Sequence, residues 1–310
     1  MLTKKNFVIV GSVTLALVIC YSVFSVVTVN LALTARASEI GLYPDQFGLI
    51  YEDIEFSPRG DESITLRGWW IPASDDFQPE SSKGTVIGVH GLDGNRENLL
   101  EMAPSYIGEG FSFLIFDLRG HGKSDKAPMG AGLKEIQDLQ GAIDFVVLNH
   151  NPGPGGIFLH GLSYGAAIVL LTGHNEVSVG GVFSDSSFAS LTDLVVQEVA
   201  DRTYLPLWGA SLFRPGLIRA AKVMKGLDLD KVLPAEAAGE YTYPIALVHC
   251  KSDQRIKITH LAQIRAQVQE PPWLVAYLNC DHSNARFDHA EHYNATALSY
   301  FNSRIEGDLE

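Results

Sequence analysis

The amino-acid sequence predicts an α/β fold, with a mostly parallel central sheet, helices on both of its faces and one transmembrane helix before it. Three observations lead to this prediction. The N-terminal part contains a long uncharged run, the apolar runs after it are short, and helical patterns lie between most of them. Short runs rich in Val, Ile and Leu are typical of strands buried on both faces. Strands that alternate with helices form a parallel sheet between helical layers.

The first element is the run FVIVGSVTLALVICYSVFSVVTVNLAL, which occupies residues 7–33 and contains no charged side chain. A bilayer span needs about 20 apolar residues, so this run is long enough to cross a membrane. A cleaved secretory signal is the alternative, because Ala35-Arg36-Ala37 has the A-x-A pattern of a cleavage site. The apolar region of a signal is usually only about 7–15 residues long, which favours an uncleaved anchor over residues 1–33.

Basic residues predict the orientation of this helix. Lys4 and Lys5 precede the apolar run, whereas Arg36 follows it with Glu39 and Asp45 nearby. Because positive charge collects on the cytoplasmic side, the N-terminus is expected in the cytoplasm and the rest of the chain outside it. We therefore predict a single-pass protein of the cell membrane with an extracytoplasmic globular domain. A protein secreted after signal cleavage is the alternative.

The net charge restricts the possible partners. The chain carries a formal charge of -13 and has a sequence pI of about 5.2. Nucleic-acid binding requires a basic surface, which such a composition does not provide. An acidic surface also fails to attract anionic lipid headgroups, so any membrane contact is expected to be hydrophobic. The sequence thus predicts a membrane partner through the N-terminal helix and no nucleic acid.

The globular part is predicted to be one domain over residues 47–310, joined to the helix by a linker over residues 34–46. It begins with a β-hairpin, because two strand patterns flank the turn residues Arg59-Gly60-Asp61. The predicted strands are Tyr51–Phe56, Ile64–Ile71, Thr85–Val89, Phe113–Phe116, Ile157–Leu159, Val179–Phe183, Ile245–Val248 and Leu274–Leu278. The predicted helices are Arg96–Gly108, Leu133–Leu148, Ser163–Thr172, Thr259–Val268 and Ala290–Asn302.

A stretch without strand patterns interrupts this alternation between Asp185 and Tyr243. Its apolar segments are Leu191–Val199, Tyr204–Trp208 and Leu217–Val223. An insertion of this length in a compact sheet is usually a lid or a binding element. We predict a small helical cap over the active site at about residues 188–240, with ordinary packing helices as the alternative.

One strand-to-helix junction carries the motif of a nucleophile. Residues Gly161 to Gly165 read Gly-Leu-Ser-Tyr-Gly, and this G-x-S-x-G stands between an apolar strand and an apolar helix. A serine on such a sharp turn has a strained backbone and an exposed hydroxyl, and the glycines let the turn close. The helix that begins at Ser163 also directs N–H groups and a positive dipole end toward the site. We interpret Ser163 as a nucleophile, and a packing turn with a capping serine is the alternative.

A serine nucleophile needs a base that removes its proton and a carboxylate that orients the base. On a fold of this kind both follow the serine along the chain, and the acid stands just past a late strand. Asp253 is the only carboxylate in the loop after Ile245–Val248. Asp185, which follows the preceding strand, is the alternative acid or a helix cap.

The base is predicted from its place after the last strand. His282 directly follows the strand pattern Leu274–Leu278, whereas His289 and His292 stand where a helix starts. We predict His282 as the base and place the other two on a solvated helix face. The chain order excludes four histidines that precede the serine, namely His90, His121, His150 and His160.

Two backbone N–H groups are predicted to stabilise the negative oxygen of an acyl-transfer intermediate. One belongs to Tyr164, the residue after the nucleophile. The other belongs to Leu92, in the loop after the first buried strand, where Gly91 and Gly94 would let the backbone approach a substrate. An ordinary strand-to-helix turn is the alternative for this loop.

With these motifs the sequence resembles the α/β-hydrolase family, and most of all its bacterial branch of membrane-associated or secreted esterases, lipases and thioesterases. The resemblance covers about residues 45–303. It rests on five motifs in the expected order, which are His90 to Arg96, Asp117 to Ser124, Gly161 to Gly165, Ser252-Asp253 and Asp281-His282. It implies an α/β-hydrolase fold with Ser163, Asp253 and His282 as the catalytic triad, with no cofactor and no metal.

The acid loop departs from the family pattern at two positions, because Cys250 replaces a common glycine and Lys257 a common proline. Cys250 and Cys280 are expected near the ends of the last two strands, which are neighbours on this fold. A disulfide would join the acid loop to the histidine loop, provided that the Cα atoms lie about 4.4–6.8 Å apart. Two buried thiols are the alternative.

The resemblance implies a serine hydrolase that cleaves carboxylic esters or thioesters of a small-molecule acyl substrate through an acyl-enzyme. A peptidase such as an aminopeptidase would need a carboxylate near the substrate amine, and the sequence singles out none. A dry cap lined by Tyr204–Phe213 would instead favour acyl transfer to an alcohol. A non-catalytic, membrane-anchored binding protein on the same scaffold is the alternative from a different class.

Overall fold

A computed structural model gives the fold and describes residues 4–36, 38–73 and 82–307. Ala37, the last residue of the Ala35-Arg36-Ala37 motif, lies outside the described residues. The chain forms two compact units. The smaller unit combines the residues up to Thr34 with Leu191–Val232, and the larger unit combines Ala35–Ser190 with the residues from Leu233 onward.

The larger unit is built on a sheet of eight strands. These are β1 (Glu52–Phe56), β2 (Leu66–Ile71), β3 (Gly84–Val89), β4 (Phe111–Phe116), β5 (Ile157–Leu162), β6 (Val179–Asp185), β7 (Ala246–Cys250) and β8 (Trp273–Tyr277). Their order in the sheet is β1-β2-β4-β3-β5-β6-β7-β8. The pairs β1–β2 and β2–β4 are antiparallel, and all the other pairs are parallel. The prediction of an α/β fold with a mostly parallel sheet is confirmed.

The helices follow the strands in the order that an α/β fold requires. In the described residues the α-helices are α1 (Lys4–Ala32), α2 (Ala103–Gly108), α3 (Glu135–Asn149), α4 (Tyr164–Gly173), α5 (Leu191–Thr203), α6 (Leu207–Ser211), α7 (Arg214–Lys225), α8 (Pro234–Ala238), α9 (Ile258–Gln267), α10 (Ala285–Asp288) and α11 (Ala290–Gly307). Short 3₁₀ helices occupy Pro44–Phe47, Arg96–Met102 and Leu229–Lys231.

The central strands explain the continuous apolar runs in the sequence. Every residue of β3, β4 and β5 is buried, whereas the edge strand β1 buries only its middle residue fully. Strand β5 extends three residues beyond its predicted end at Leu159. His160 and Gly161 do not favour strands by themselves, but each pairs with β3 on one side and β6 on the other. Tertiary pairing therefore overrides local propensity at this point.

One predicted helix consists of two parts. The segment Arg96–Met102 is 3₁₀, and only the residues from Ala103 onward are α-helical. Asn95 caps the 3₁₀ part, because its side chain accepts a hydrogen bond of 2.8 Å from the N–H of Glu97. Pro104 occupies the first turn of α2 and has no N–H to donate to the preceding turn. The break between the two parts follows from that missing donor.

Part of the segment predicted as a linker belongs to the larger unit. The backbone N–H of Arg36 donates to Asp93 Oδ1 at 2.9 Å. Glu97 Oε2 accepts hydrogen bonds from the N–H groups of Gly41 and Leu42, at 2.5 and 2.9 Å. These bonds fasten the segment to the region that follows β3.

The smaller unit consists of α1 and the helices of the insertion. Helix α1 contains a stretch, Asn6–Ala32, with a mean hydropathy of 2.4 that could cross a membrane by its length and composition. The predicted N-terminal apolar helix is confirmed as a helix, and its place in a membrane stays a prediction. A small core joins α1 to the insertion, and its members are Val196, Val199, Ala200 and Ala210 with Phe24 and Phe213 packed against them.

Candidate active site

The turn at Ser163 connects β5 directly to α4. Ser163 has φ 55° and ψ -111°, a conformation that a residue with a side chain rarely adopts. A Cβ atom on Gly161 would collide with the backbone of Gly165, and one on Gly165 would collide with the carbonyl oxygen of Val89. Only glycines therefore allow the strand, the turn and the helix to approach this closely.

Three predicted side chains meet at this turn. His282 Nε2 lies 2.6 Å from Ser163 Oγ, and His282 Nδ1 lies 2.7 Å from Asp253 Oδ2. With its proton on Nδ1, the imidazole donates to the carboxylate and accepts from the serine hydroxyl. The side chain of Asp253 is fully buried, and that of His282 is 14% exposed. The arrangement is that of a serine activated by an oriented histidine.

The loop after β7 fixes the orientation of Asp253. Its Oδ1 accepts hydrogen bonds from the N–H groups of Arg255 and Ile256, at 2.9 and 2.8 Å. The Nε2 atom of His249 lies 3.4 Å from Asp253 Oδ2 and 2.7 Å from the carbonyl oxygen of Ile256. One carboxylate oxygen is thus held by the loop, and the other faces His282.

A disulfide joins the two loops that carry Asp253 and His282. Cys250 ends β7, Cys280 follows β8, and their Cα atoms are 5.5 Å apart. The disulfide alternative is therefore the one that the structure contains. Lys257, the other departure from the family pattern, has φ -61°, which is also the angle that a proline ring imposes. Both departures are compatible with the loop geometry.

Asp185, the alternative acid, has other partners. It is completely buried at the end of β6, where its Oδ1 accepts from Ser186 Oγ at 2.8 Å and its Oδ2 from the hydroxyl of Tyr293 at 3.0 Å. The same Tyr293 hydroxyl lies 2.9 Å from Nε2 of His160, and Nδ1 of His160 lies 2.6 Å from the hydroxyl of Tyr106. Asp185 thus belongs to a buried hydrogen-bonded chain.

Burial shifts the pKa values of this buried chain. Desolvation raises the pKa of Asp185 and lowers the pKa of His160 to about 3. His160 is therefore neutral at physiological pH. No local sequence pattern connects His160 with Tyr106 or Tyr293, since the contacts span 54 and 133 residues.

The two later histidines make local contacts. His289 Nε2 lies 2.7 Å from the carbonyl oxygen of Leu278, and His292 Nδ1 lies 2.9 Å from the hydroxyl of Tyr277. Both imidazole rings thus form hydrogen-bond contacts with residues at or just after the end of β8. Neither side chain forms the contacts to Ser163 and Asp253 that His282 forms.

The loop after β3 lies beside the serine. A Cβ atom on Gly91 would be only 3.3 Å from the Cβ of Ser163. His90 holds this loop, because its Nδ1 lies 2.7 Å from the carbonyl oxygen of Gly91 and its Nε2 accepts from the N–H of Leu118 at 3.0 Å. Burial lowers the pKa of His90 to about 3, so the ring is neutral and can donate and accept in this way.

A cavity of about 160 Å³ opens at this place. Its lining residues are Gly91, Leu92, Gly94, Asn98, Leu162, Ser163, Arg255, His282, Ser283, Asn284 and Arg286. Leu92 and Ser163 thus border the same space. Tyr164 begins α4, where the first N–H groups have no partner within the helix. In the described residues no group of three or more His, Cys, Asp or Glu side chains is arranged to hold a metal ion.

Known proteins resemble this chain in sequence. A family model described as serine aminopeptidase, S33, matches residues 80–204. The uncharacterized protein YfhR of Escherichia coli (strain K12) is 27% identical over 259 residues, which cover 82% of this chain and 81% of YfhR. The uncharacterized protein YqkD of Bacillus subtilis (strain 168) is 24% identical over 227 residues, which cover 73% of each chain.

Solved structures share the fold at low sequence identity. The Pyrococcus furiosus esterase Pf2001 has a TM-score of 0.68 and 19% identity, over 87% of this chain and 98% of that one. The acylaminoacyl peptidase of Pyrococcus horikoshii has a TM-score of 0.60 and 14% identity, over 87% of this chain and 46% of that one. These likenesses show the α/β-hydrolase fold, and together with the family model they support a hydrolase of the serine type.

Proposed function

We propose that the protein hydrolyses carboxylic esters or thioesters through an acyl-enzyme on Ser163. The observation that carries this proposal is the continuous hydrogen-bonded arrangement of Ser163, His282 and Asp253, with distances of 2.6 and 2.7 Å. Such an arrangement activates a hydroxyl that is otherwise a weak nucleophile. The proposal assigns the protein to the bacterial esterase, lipase and thioesterase branch, and its likeness to bacterial YfhR and YqkD supports the bacterial part of that assignment.

The geometry supports a two-step reaction. Ser163 Oγ attacks the acyl carbon while its proton passes to His282 Nε2, and Asp253 stabilises the imidazolium. The bond to the leaving oxygen or sulfur then breaks, and His282 returns the proton to that atom. Water repeats the sequence on the acyl-enzyme and releases the acid. The N–H groups of Leu92 and Tyr164 are proposed to bind the negative oxygen in both steps.

The lining of the cavity favours an ester over a peptide with a free amine. An aminopeptidase would need a carboxylate that binds the substrate ammonium group. Among the described residues that line the cavity none is Asp or Glu, and two, Arg255 and Arg286, are cationic. Arg286 is paired with Glu101 at 2.5 Å, so Arg255 is the cation of this lining that would disfavour a positively charged amine. This charge distribution supports an ester substrate over the aminopeptidase substrate that the description of the family model suggests.

The test is an assay of the full chain and its Ser163→Ala variant with p-nitrophenyl esters of graded acyl length and with aminoacyl p-nitroanilides. We expect ester turnover, a fall of at least about 1000-fold in kcat/KM for the variant, and no turnover of the anilides. Labelling by a fluorophosphonate probe is the matched control, because only an activated serine reacts. Equal turnover and equal labelling of the two proteins would instead favour the non-catalytic binding protein.

Acyl transfer is a second outcome of the same assay. If alcohols added to the ester reaction appear in new ester products at the expense of the free acid, transfer is the activity. The proposal predicts free acid as the main product, because water is present in large excess over any alcohol acceptor.

We further propose that α1 is an uncleaved anchor and that the larger unit lies outside the cytoplasm. Contacts of α1 with α7 support the anchor, since cleavage would remove a packed helix. The disulfide between Cys250 and Cys280 supports a location outside the cytoplasm, because disulfides persist where conditions are oxidising. Resistance of the full chain to alkaline extraction from membranes, together with its digestion by protease added to intact spheroplasts, tests both parts.

A further inference from the structure

The insertion presents an unusual apolar surface to solvent. Residues Tyr204–Phe213 read YLPLWGASLF and contain no charged side chain. Four large side chains of this apolar segment are strongly exposed, Tyr204 at 94%, Trp208 at 74%, Leu212 at 65% and Leu207 at 61%. Contiguous exposed patches of this kind mark a surface that meets another apolar phase or a partner.

The apolar segment is attached to α1 by specific contacts. The hydroxyl of Tyr21 donates to the carbonyl oxygen of Leu212 and accepts from the N–H of Gly216, both at 2.9 Å. The ring of Phe213 stacks on Tyr21 at 5.7 Å and packs against Phe24 at 4.6 Å between ring centroids. The end of the segment therefore lies directly against the apolar helix.

The start of α7 can approach α1 only because residue 216 is glycine. A Cβ atom at that position would lie 2.5 Å from the ring of Tyr21 and would also collide with Ser25 Oγ. Ser25 itself is buried, unlike most of α1. Small residues at a helix contact allow backbones to approach closely, as they do between helices in membranes.

The position of these contacts along α1 indicates how deep they would lie in a bilayer. The apolar run starts at Phe7, and a bilayer core of about 30 Å is spanned by about 20 residues. A helix that enters at Phe7 therefore leaves the core near Val26. Tyr21, which contacts Leu212 and Phe213, lies five residues before that point, or about 7.5 Å along the helix axis. The end of the apolar segment therefore lies in the outermost part of one leaflet.

The charge of the insertion is compatible with this position. Residues 191–232 contain six basic and five acidic side chains, a net charge of +1, although the whole chain carries -13. No acidic residue occurs between Arg202 and Gly226, where Arg214, Arg219, Lys222 and Lys225 also lie. The acidity of the complete chain therefore does not extend to this region, and headgroup phosphates are not repelled there.

We propose that Tyr204–Phe213 is a second membrane-contacting element, which inserts into the boundary between headgroups and acyl chains in the leaflet from which α1 emerges. Tyrosine and tryptophan prefer this boundary because their rings are apolar and their tips are polar. The occupant of the exposed surface is thus the lipid of the outer leaflet. The proposal rests on the membrane anchor proposed above.

The test uses the tryptophan fluorescence of the full chain in phosphatidylcholine vesicles whose acyl chains are brominated near the headgroup, since bromine quenches rings that touch it. The chain has four tryptophans, of which Trp69 and Trp70 are buried. We expect Trp208→Phe to lose most of the quenching and Trp273→Phe, a control at a partly exposed position in β8, to retain it. Acrylamide in the water should reach Trp208 poorly in the same vesicles.

Three results would overturn the proposal, and the third is distinguishable from the first two. If the chain floats with the vesicles but Trp208→Phe is quenched as strongly as the unaltered protein, the anchor stands and the second contact is wrong. Ready quenching of Trp208 by acrylamide in those vesicles has the same meaning. If the chain does not float with the vesicles, both the anchor and the second contact are wrong, whatever the esterase assay shows.

Discussion

Gly165 stands where helix α4 passes very close to the end of strand β3. A Cβ atom at this position would collide with the backbone carbonyl oxygens of Val89 and His90, which cannot rotate away. Gly108, at the end of α2, is different, because no heavy atom outside its immediate surroundings lies within 4 Å of a Cβ atom built there. Gly165 is thus required by close backbone packing, whereas Gly108 has space for a side chain.

We expect Gly165→Ala to lower the free energy of unfolding by about 1–3 kcal/mol, because α4 must move away from β3. The same movement displaces Ser163, so kcat/KM for p-nitrophenyl esters should fall by at least about tenfold. Gly108→Ala is the matched control and should change neither quantity appreciably. Thermal unfolding and steady-state kinetics of both variants measure these effects, and equal behaviour of the two would contradict the close packing.

At the residue scale the sequence predicted the three side chains that meet at the turn. Ser163 has a local pattern of two glycines, and the positions of Asp253 and His282 follow from the ends of two late strands. The contacts of Asp185 could not be predicted in this way. Its partner Tyr293 is 108 residues away and belongs to a helix whose orientation no local pattern gives.

The loops after β7 and β8 act as one element because Cys250 and Cys280 are bonded to each other. A bond that closes a loop of about 30 residues stabilises the folded state by about 3 kcal/mol, chiefly by restricting the unfolded chain. The same bond restrains the distance between the loop of Asp253 and the loop of His282. Stability and catalysis are therefore expected to change together.

Replacement of both cysteines by alanine should lower the unfolding free energy by about 3 kcal/mol and reduce kcat by roughly tenfold through looser placement of His282. Cys20→Ser, which alters the free cysteine of α1, is the control. Urea unfolding with and without a reductant measures the first effect, and ester hydrolysis measures the second. No response of the unaltered protein to the reductant would mean that the bond does not stabilise the fold.

At the element scale most strands were predicted within a few residues, because buried parallel strands are short and continuously apolar. The predicted ends of elements were wrong where tertiary pairing or a proline sets the observed end. His160 in β5 and Pro104 in α2 are the two examples. The sequence does not distinguish a disulfide from two buried thiols, since it does not give the distance between the two Cα atoms. That distance of 5.5 Å depends on the register between β7 and β8.

The whole molecule is expected to lose stability in acid through its buried neutral histidines. His90 and His160 are completely buried, and desolvation lowers the pKa of each to about 3. In the unfolded chain a histidine has a pKa near 6.5, so below that pH the unfolded state binds protons that the folded state does not. Stability is therefore lost as the pH falls from about 6.5 to about 3.

His160→Gln should reduce this acid sensitivity by up to about 1.4 kcal/mol per pH unit in that range. Glutamine can still accept from Tyr106 and donate to Tyr293, but it does not titrate. Chemical unfolding of both proteins at several pH values between about 4 and 7 gives the two slopes. If the slopes are identical, His160 is not the neutral buried group described here.

At the scale of the whole molecule the order of strands and helices was predictable, because each element carries its own periodicity. The two compact units were not, since one of them combines α1 with an insertion more than 150 residues later in the chain. The sequence predicts an anchor over residues 1–33 and a linker after it. Neither hydropathy nor charge indicated that Tyr21 would contact Leu212 and Phe213.

Those contacts bear on how freely the N-terminal helix can be exchanged. An anchor that only tethers a protein is modular, and any apolar helix of the same length would replace it. Here a foreign helix would lack the tyrosine hydroxyl that bonds to Leu212 and Gly216 and the ring that packs on Phe213. A chimera would retain the proposed membrane anchor and would lose the side chains that contact the insertion. The sequence of α1 is therefore constrained along one face by its own chain and on its other faces only by apolarity.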